Sequence, residues 1–134
     1  MKISVITISY NCAKTIRRSI NSVISQDYND MEYIIIDGGS TDGTKEIIEE
    51  YKNYISKYVS EKDNGIYDAI NKGISFCKGD IIGILHSDDI FNRNDILKII
   101  ATEFRKRNID GLYGDLVYVN ENNKVVRNWK TYNF

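Results

Sequence analysis

Residues 33–44 read YIIIDGGSTDGT, an apolar run that ends at Asp37 and gives way to a turn of glycines and small polar residues. The run predicts a buried strand, because isoleucine and tyrosine favour extended backbone. A helix is predicted from about Lys45, and its inward-facing residues are Ile47, Ile48, Tyr51 and Ile55. A strand that leads through a short turn into a helix is typical of a parallel sheet.

The chain repeats this alternation of apolar runs and helical periods four times. Further strands are predicted at residues 3–8, 58–60 and 81–85, the last of them buried, and Asn11 is the predicted cap of the first helix. Two final strands around the turn NENN (120–123) predict an antiparallel hairpin. The predicted fold class is therefore α/β, a mostly parallel sheet flanked by helices and ending in an antiparallel hairpin.

Length, charge and cysteine content exclude several classes of protein. The 134 residues suffice for one domain with one core. A formal net charge of −1 argues against a nucleic-acid binder. Two cysteines are too few for a disulfide framework and indicate reduced thiols. No apolar run approaches the ~20 residues that span a bilayer. The predicted location is therefore the cytoplasm, and docking at the inner face of the membrane stays open.

Ligands of such sheets bind at the carboxyl ends of the strands, where the strand order reverses. Four loops follow predicted strands: SYN (9–11), DGGSTDGT (37–44), EKDNGIYDAINKG (61–73) and HSDD (86–89). All four are rich in polar residues, and their convergence predicts a binding site at this edge of the sheet.

Asp88 and Asp89 directly follow the strand at 81–85, and no lysine or arginine lies within the five residues before them. Adjacent carboxylates without a local positive charge predict a divalent cation, Mg²⁺ or Mn²⁺, which would also hold a diphosphate. His86 could assist, although a lone histidine is more often structural.

Other positions in these loops have a binding interpretation, a structural one, or both. The glycines after Asp37 do not match a dinucleotide or P-loop motif, and Asp37 is better placed as an acceptor for ring N–H donors of a base. Tyr10 either stacks on a planar ring or is a half-buried aromatic residue at a strand edge. Asp68 and Lys72 are four residues apart, a spacing that also stabilises an ordinary surface helix. Asp42 is predicted to cap the second helix.

In this order, VITISYN (5–11), IIIDGGSTDGT (34–44), EKDNGIYDAINKGI (61–74) and LHSDD (85–89) resemble the family 2 glycosyltransferases. The resemblance implies the GT-A fold and a transferase that inverts the anomeric centre of a nucleotide-activated sugar. It further implies a UDP-sugar as the favoured donor and a saccharide or lipid-linked acceptor, as in polysaccharide assembly.

The same resemblance implies roles for individual side chains at the nucleotide. Thr7 and Tyr10 would line the uracil pocket, with Tyr10 against the ring, and Asp37 would accept the ring N–H. The residues that would border the nucleotide-sugar are Asp68, Asn71 and Lys72.

At the cation, the resemblance places Asp88 near the ribose and Asp89 on the metal that bridges the phosphates, with the reverse order open, so both are candidate ligands. His86 stands where the family's D-x-D motif often begins with aspartate.

The family's general base is an acidic residue in a C-terminal half that also builds the acceptor site. Asp115, the only late carboxylate on a predicted strand, does not match that motif. We therefore expect residues 1–134 to form a single nucleotide-sugar-binding domain that lacks the acceptor-binding half and is inactive by itself, with the base outside it. Apolar surface left exposed by a missing half predicts a homo-oligomer.

Two other functions stay open at this point. The first is a non-catalytic nucleotide-sugar-binding or interaction module, which acceptor transfer or donor hydrolysis would distinguish from an enzyme. The second is a phosphotransfer protein with Asp37 as acceptor or nucleophile. The sequence after Asp37 lacks the second aspartate of a D-x-D-x-T phosphatase loop, which disfavours it.

Overall fold

The computed structural model describes residues 1–131, which belong to two compact units, Met1–Thr102 and a second unit that begins at Glu103. Strands and helices alternate through the first unit. In chain order they are β1 (Ile3–Ser9), α1 (Ile16–Ile24), β2 (Met31–Asp37), α2 (Thr44–Glu50), β3 (Lys57–Ser60), α3 (Ile66–Ser75), β4 (Ile81–Ile84) and α4 (Ile96–Lys106), which runs into the second unit. A 3-10 turn, Lys52–Tyr54, follows α2.

The four strands form one parallel sheet in the order β3-β2-β1-β4. The chain therefore moves outward from β1 to β3 and returns to add β4 on the other side of β1. In register, Ile3 of β1 pairs with Met31 of β2 and with Ile81 of β4. The strand order reverses between β1 and β4, so the ligand crevice of a parallel sheet lies where these two strands end. This parallel sheet confirms the predicted fold class.

Helices cover both faces of the sheet because parallel crossovers are right-handed. The crossovers from β1 to β2 and from β2 to β3 run in one direction, so α1 and α2 lie on one face, where they contact each other. The crossover from β3 to β4 runs in the opposite direction, so α3 lies on the other face. On the α3 face a buried cluster joins the sheet to the helix; its members are Ile6, Ile8, Ile34, Ile36 and Ala69. Gly73 lets α3 approach closely, since a Cβ there would lie 2.7 Å from Ile6 Cγ2.

Four local predictions were wrong. The N-cap of α2 is Gly43, which adopts a φ of 102°, and not Asp42. Helix α2 ends at Glu50, so Tyr51 and Ile55 lie outside it, because the chain tightens there into a 3-10 turn. Asn11 does not cap α1, which begins at Ile16. Strand β4 is not buried on both faces: Ile84 is 45% exposed because β4 forms the edge of the sheet.

The second unit contains β5 (Leu116–Val119) and β6 (Val125–Trp129), which pair antiparallel and confirm the predicted hairpin. Asn120 organises the turn, because its Oδ1 accepts the backbone N–H groups of Asn122 and Lys124. Among the described residues, no helix combines the length and apolar character needed to cross a bilayer.

Candidate functional site

Hydrogen bonds join the loop after β1 to the loop after β2. The Asn11 N–H donates to Ser40 Oγ at 2.8 Å, and Asn11 Oδ1 accepts the Thr41 N–H at 2.8 Å. The Ala13 N–H donates to Asp42 Oδ2 at 3.0 Å. Asn11 adopts a positive φ of 46°, a conformation that asparagine tolerates better than most residues. The two loops therefore form one continuous wall at the carboxyl edge of the sheet.

Asp37 is fully buried at the end of β2 and organises this wall. Its carboxylate accepts five hydrogen bonds from the chain; the donors are the hydroxyls of Ser9, Ser40 and Ser60 and the backbone N–H groups of Gly39 and Ser40. Burial alone would raise the pKa of Asp37, but these hydrogen bonds outweigh it and hold the pKa below its ordinary value.

Thr7 is also fully buried, and its Oγ1 accepts a hydrogen bond from the Tyr33 hydroxyl at 2.9 Å. Without a ligand, neither Thr7 nor Asp37 offers an exposed surface to a base. Their predicted contacts with uracil stay predictions.

Tyr10 follows β1 and is 66% exposed, so its ring is available to a ligand. It lies beside Gly38: a Cβ built on that glycine would be 3.4 Å from Tyr10 Cδ2 and 2.8 Å from Asp63 Oδ2. The carboxylate of Asp63 therefore reaches the backbone next to the exposed ring. Sequence reasoning assigned no role to Asp63, although it lies in one of the four quoted loops.

Helix α3 contains the predicted residues Asp68, in its first turn, Asn71, and Lys72, in its last turn. Asp68 Oδ2 accepts the Asn64 N–H at 3.0 Å, four residues before it, and so fixes the entry to the helix. Lys72 Nζ forms an ion pair with Glu61 at 2.6 Å, and this hydrogen bond raises the pKa of Lys72. Asn71 is exposed. Asp68 and Lys72 therefore have structural partners, and their contacts with a nucleotide-sugar stay predictions.

Asp88 and Asp89 lie in the loop after β4, beside the end of β1, and both are exposed. No ion pair joins either carboxylate to another described residue. Desolvation of its carboxyl group and the neighbouring charge of Asp88 raise the pKa of Asp89. Two carboxylates with unfavourable mutual charge match the donor set that a hard cation prefers. Within the described residues, no cluster of three or more acidic, histidine or cysteine side chains forms a complete metal site.

Two polar residues of α1, and Gln26 just beyond its end, hold the loop that contains these carboxylates, a role that the sequence analysis missed. Ser19 Oγ donates to the His86 carbonyl oxygen at 3.3 Å, and Ser22 Oγ accepts the Phe91 N–H at 3.1 Å. Gln26 donates from Nε2 to the Arg93 carbonyl oxygen at 2.6 Å. The signal in the sequence was the spacing of residues 19, 22 and 26, which matches one face of a helix, although α1 ends at Ile24 and Gln26 lies beyond it.

Known proteins match both the sequence and the fold. The sequence model of the family described as Glycosyl transferase family 2 matches residues 4–132. Chondroitin synthase of Escherichia coli is 40% identical over 106 residues, which are 78% of this chain and 15% of that protein. A second E. coli protein, UDP-Glc:alpha-D-GlcNAc-diphosphoundecaprenol beta-1,3-glucosyltransferase WfgD, is 33% identical over 124 residues, which are 92% of this chain and 49% of that protein. The chain thus spans less than half of either relative.

Solved structures agree. The crystal structure of S. aureus TarS 1-349 in complex with UDP-GlcNAc has a TM-score of 0.73 and 29% sequence identity, over 81% of this chain and 32% of that one. The mannosyltransferase PcManGT from Pyrobaculum calidifontis, in complex with GDP-Man and Mn²⁺, has a TM-score of 0.67 and 26% identity, over 72% of this chain and 30% of that one. The family model, the relatives and the shared fold confirm the resemblance in the four motifs: the chain belongs to glycosyl transferase family 2.

Proposed function

We propose that this chain is the nucleotide-sugar-binding domain of an inverting glycosyltransferase that uses a UDP-sugar and a divalent cation. The acceptor would be a saccharide or a lipid-linked saccharide. The observation that carries the proposal is the edge of the sheet where β1 and β4 end. An exposed aromatic ring and two carboxylates that form no ion pair with a described residue flank the strand-order reversal there.

The donor classes of the similar proteins favour UDP. TarS binds UDP-GlcNAc, and the name of WfgD includes UDP-Glc and a diphosphoundecaprenol acceptor. PcManGT is in complex with GDP-Man, so the fold alone does not fix the base. The identity of the base must depend on the loops around Tyr10.

The donor set of Asp88 and Asp89 fits Mg²⁺ or Mn²⁺. These cations are commonly held by one or two carboxylates and complete their coordination with substrate phosphates and water. When bound, the cation would neutralise charge on the departing diphosphate. Desolvation and the neighbouring charge of Asp88 raise the pKa of Asp89 despite the opposing effect of His86, which agrees with a carboxyl group whose charge a bound cation would stabilise.

The chain's own residues would bind and orient the base of the nucleotide. The exposed ring of Tyr10 would stack on the base, a contact that contributes ~1–3 kcal/mol per base in nucleic-acid complexes. The rigid wall built on Asp37 would fix the position of that ring. In the reaction the acceptor oxygen bonds to the anomeric carbon, the bond from that carbon to the diphosphate breaks, and the acceptor proton passes to a base. We assign that base to no residue of the chain.

Isothermal titration calorimetry with UDP, GDP and TDP, with and without Mn²⁺, tests the proposal. UDP should bind and Mn²⁺ should strengthen the binding at least tenfold, which corresponds to about 1.4 kcal/mol. In Asp89→Ala the cation should have no effect. Absence of nucleotide binding by the parent chain would overturn the proposal.

The matched control is Asp30→Ala, because Asp30 is an exposed aspartate that precedes β2 at the opposite edge of the sheet. It should bind UDP and Mn²⁺ as the parent does. Efficient glycosylation of an acceptor by the 134-residue chain would contradict the prediction that the acceptor half is missing. Self-association, a cytoplasmic location and association with the inner membrane face stay predictions, and light scattering tests the first.

A further inference from the structure

Two carboxylates lie near the exposed ring of Tyr10, and they differ in what they can offer a ligand. Asp37 is fully buried, and both of its oxygens already accept hydrogen bonds from the protein. A carboxylate has about four acceptor positions, so five donors leave none for a base.

Asp63 is partly exposed, and only one of its two carboxylate oxygens accepts a hydrogen bond from another described residue. Its Oδ1 accepts the Gly65 N–H at 3.0 Å, which fixes the side chain in a tight turn. Its Oδ2 lies 2.8 Å from the place where a Cβ of Gly38 would be, and Tyr10 Cδ2 lies 3.4 Å from the same place. This oxygen is therefore held beside the edge of the ring on which a base would stack.

We propose that Asp63 determines base specificity by accepting the ring N–H of the bound base through Oδ2. This assignment rests on the proposed function, which it deepens, and it replaces the direct contact predicted for Asp37. Asp37 then acts as a positioning residue, because it fixes the turn that contains Gly38.

The chemistry of a carboxylate at this point selects among bases. Uracil presents one N–H donor at N3, which matches one free oxygen. Cytosine presents a lone pair at N3, and a carboxylate facing a lone pair would repel it. Guanine presents two neighbouring N–H donors, of which Oδ2 alone satisfies only one while Oδ1 is engaged with Gly65. The site therefore favours uracil and thymine.

Gly38 is required for the same base contact, because its lack of a side chain leaves room for the Asp63 carboxylate. Its φ is not positive, so alanine is compatible with its backbone, but the added Cβ would overlap the Asp63 carboxylate at 2.8 Å. Since that carboxylate is the end of a side chain, it would rotate away, at a cost in stability no larger than its one hydrogen bond from the Gly65 N–H. We expect Gly38→Ala to weaken UDP binding severalfold while the chain stays folded.

The direct test is Asp63→Asn, which keeps the carbonyl oxygen that accepts the Gly65 N–H and changes the other oxygen to a donor. Calorimetry with UDP, CDP and 3-methyl-UDP, all with Mn²⁺, measures the base contact. The parent should bind UDP roughly tenfold or more tightly than CDP or 3-methyl-UDP, the loss expected for one charge-assisted hydrogen bond. In Asp63→Asn the preference for UDP over 3-methyl-UDP should disappear, and CDP should bind more tightly than to the parent.

Asp37→Asn and Asp30→Asn are compared under the same conditions. Both should retain the preference for UDP over 3-methyl-UDP, even if Asp37→Asn is less stable. If Asp63→Asn keeps that preference and Asp37→Asn loses it, the assignment to Asp63 is overturned while the proposed function stands. If the parent chain binds no UDP, the proposed function fails and the assignment falls with it.

Discussion

Two pairs of aspartates at the carboxyl edge of the sheet act in opposite ways: Asp37 and Asp42 at the end of β2, and Asp88 and Asp89 after β4. At the end of β2, the carboxylates of Asp37 and Asp42 accept hydrogen bonds from the backbone and from hydroxyls of neighbouring loops. After β4, Asp88 and Asp89 are exposed and form no ion pair with another described residue. The first pair stabilises the fold, whereas the second pair leaves charge available for a ligand.

The pKa shifts express the same difference. Hydrogen bonds outweigh burial at Asp37 and lower its pKa, whereas desolvation and the charge of Asp88 raise the pKa of Asp89. The fold therefore favours the ionised form of one carboxyl group and disfavours that of the other. Substitutions that remove charge should accordingly have opposite effects on stability in the two loops.

The largest effect is expected for Asp37→Asn. The substitution places an NH₂ group against donors, and we expect the free energy of unfolding to fall by about 3 kcal/mol, the upper range for a hydrogen-bonded charge. Urea denaturation at pH 7 measures it. Asp30→Asn, an exposed residue, should change stability by less than ~0.5 kcal/mol. Equal stability of Asp37→Asn and parent would contradict a structural role for this carboxylate.

The next largest effect is expected at Gln26, which connects α1 to the segment that follows Asp89. Its Nε2 donates to the carbonyl oxygens of Ser22 and Arg93, and its Oε1 accepts the Leu97 N–H. Gln26→Ala leaves the buried Leu97 N–H and two partly buried carbonyl oxygens without this partner, which should cost roughly 2 kcal/mol.

Hydrogen exchange separates this effect from a uniform loss of stability. In Gln26→Ala, exchange at the Leu97 amide should accelerate more than exchange at amides of β2. If all amides accelerated equally, Gln26 would stabilise the unit as a whole rather than the loop after β4.

The sequence predicted the strands better than the loops for a physical reason. Continuous apolar runs such as Ile34–Ile36 and residues 3–8 are buried along their whole length. Their positions as strands could therefore be predicted from the apolar run alone. The helix α2 was predicted too long, because Tyr51 and Ile55 continue its apolar period although the chain leaves the helix at Glu50. Periodicity contains no information about where a helix stops without a glycine or proline signal.

The sequence predicted where the site lies in the fold, but not the contacts between its residues. Strand order and loop polarity place Tyr10, Asp37 and Asp88 at one edge, as expected from the crevice rule. The hydrogen bonds between Asn11 and Ser40, and the approach of Asp63 to Gly38, join residues distant in sequence. Such contacts have no periodic signature, so only the three-dimensional arrangement distinguishes the buried Asp37 from the accessible Asp63.

A smaller effect is expected from pH. Because the pKa of Asp37 is lower in the folded chain than in the unfolded chain, its ionised form stabilises the fold above the ordinary value of about 4. That stabilisation is lost as the pH falls through the lower folded value. Urea unfolding between pH 6 and pH 3 should show it, with a slope of at most ~1.4 kcal/mol per pH unit from this one group. Asp37→Asn should have a shallower slope, and an identical slope would exclude Asp37 as a cause.

The smallest effect, and opposite in sign, is expected for Asp89→Asn without a cation. Removing a charge that desolvation and Asp88 disfavour should raise the free energy of unfolding, by about 0.5 kcal/mol because solvent screens exposed charges. Mn²⁺ with UDP should stabilise the parent and fail to stabilise Asp89→Asn, since ligand binding stabilises only the chain that binds. Thermal unfolding with and without these ligands measures both effects. A loss of stability in Asp89→Asn without ligand would place this carboxylate with Asp37, among the residues that hold the fold together.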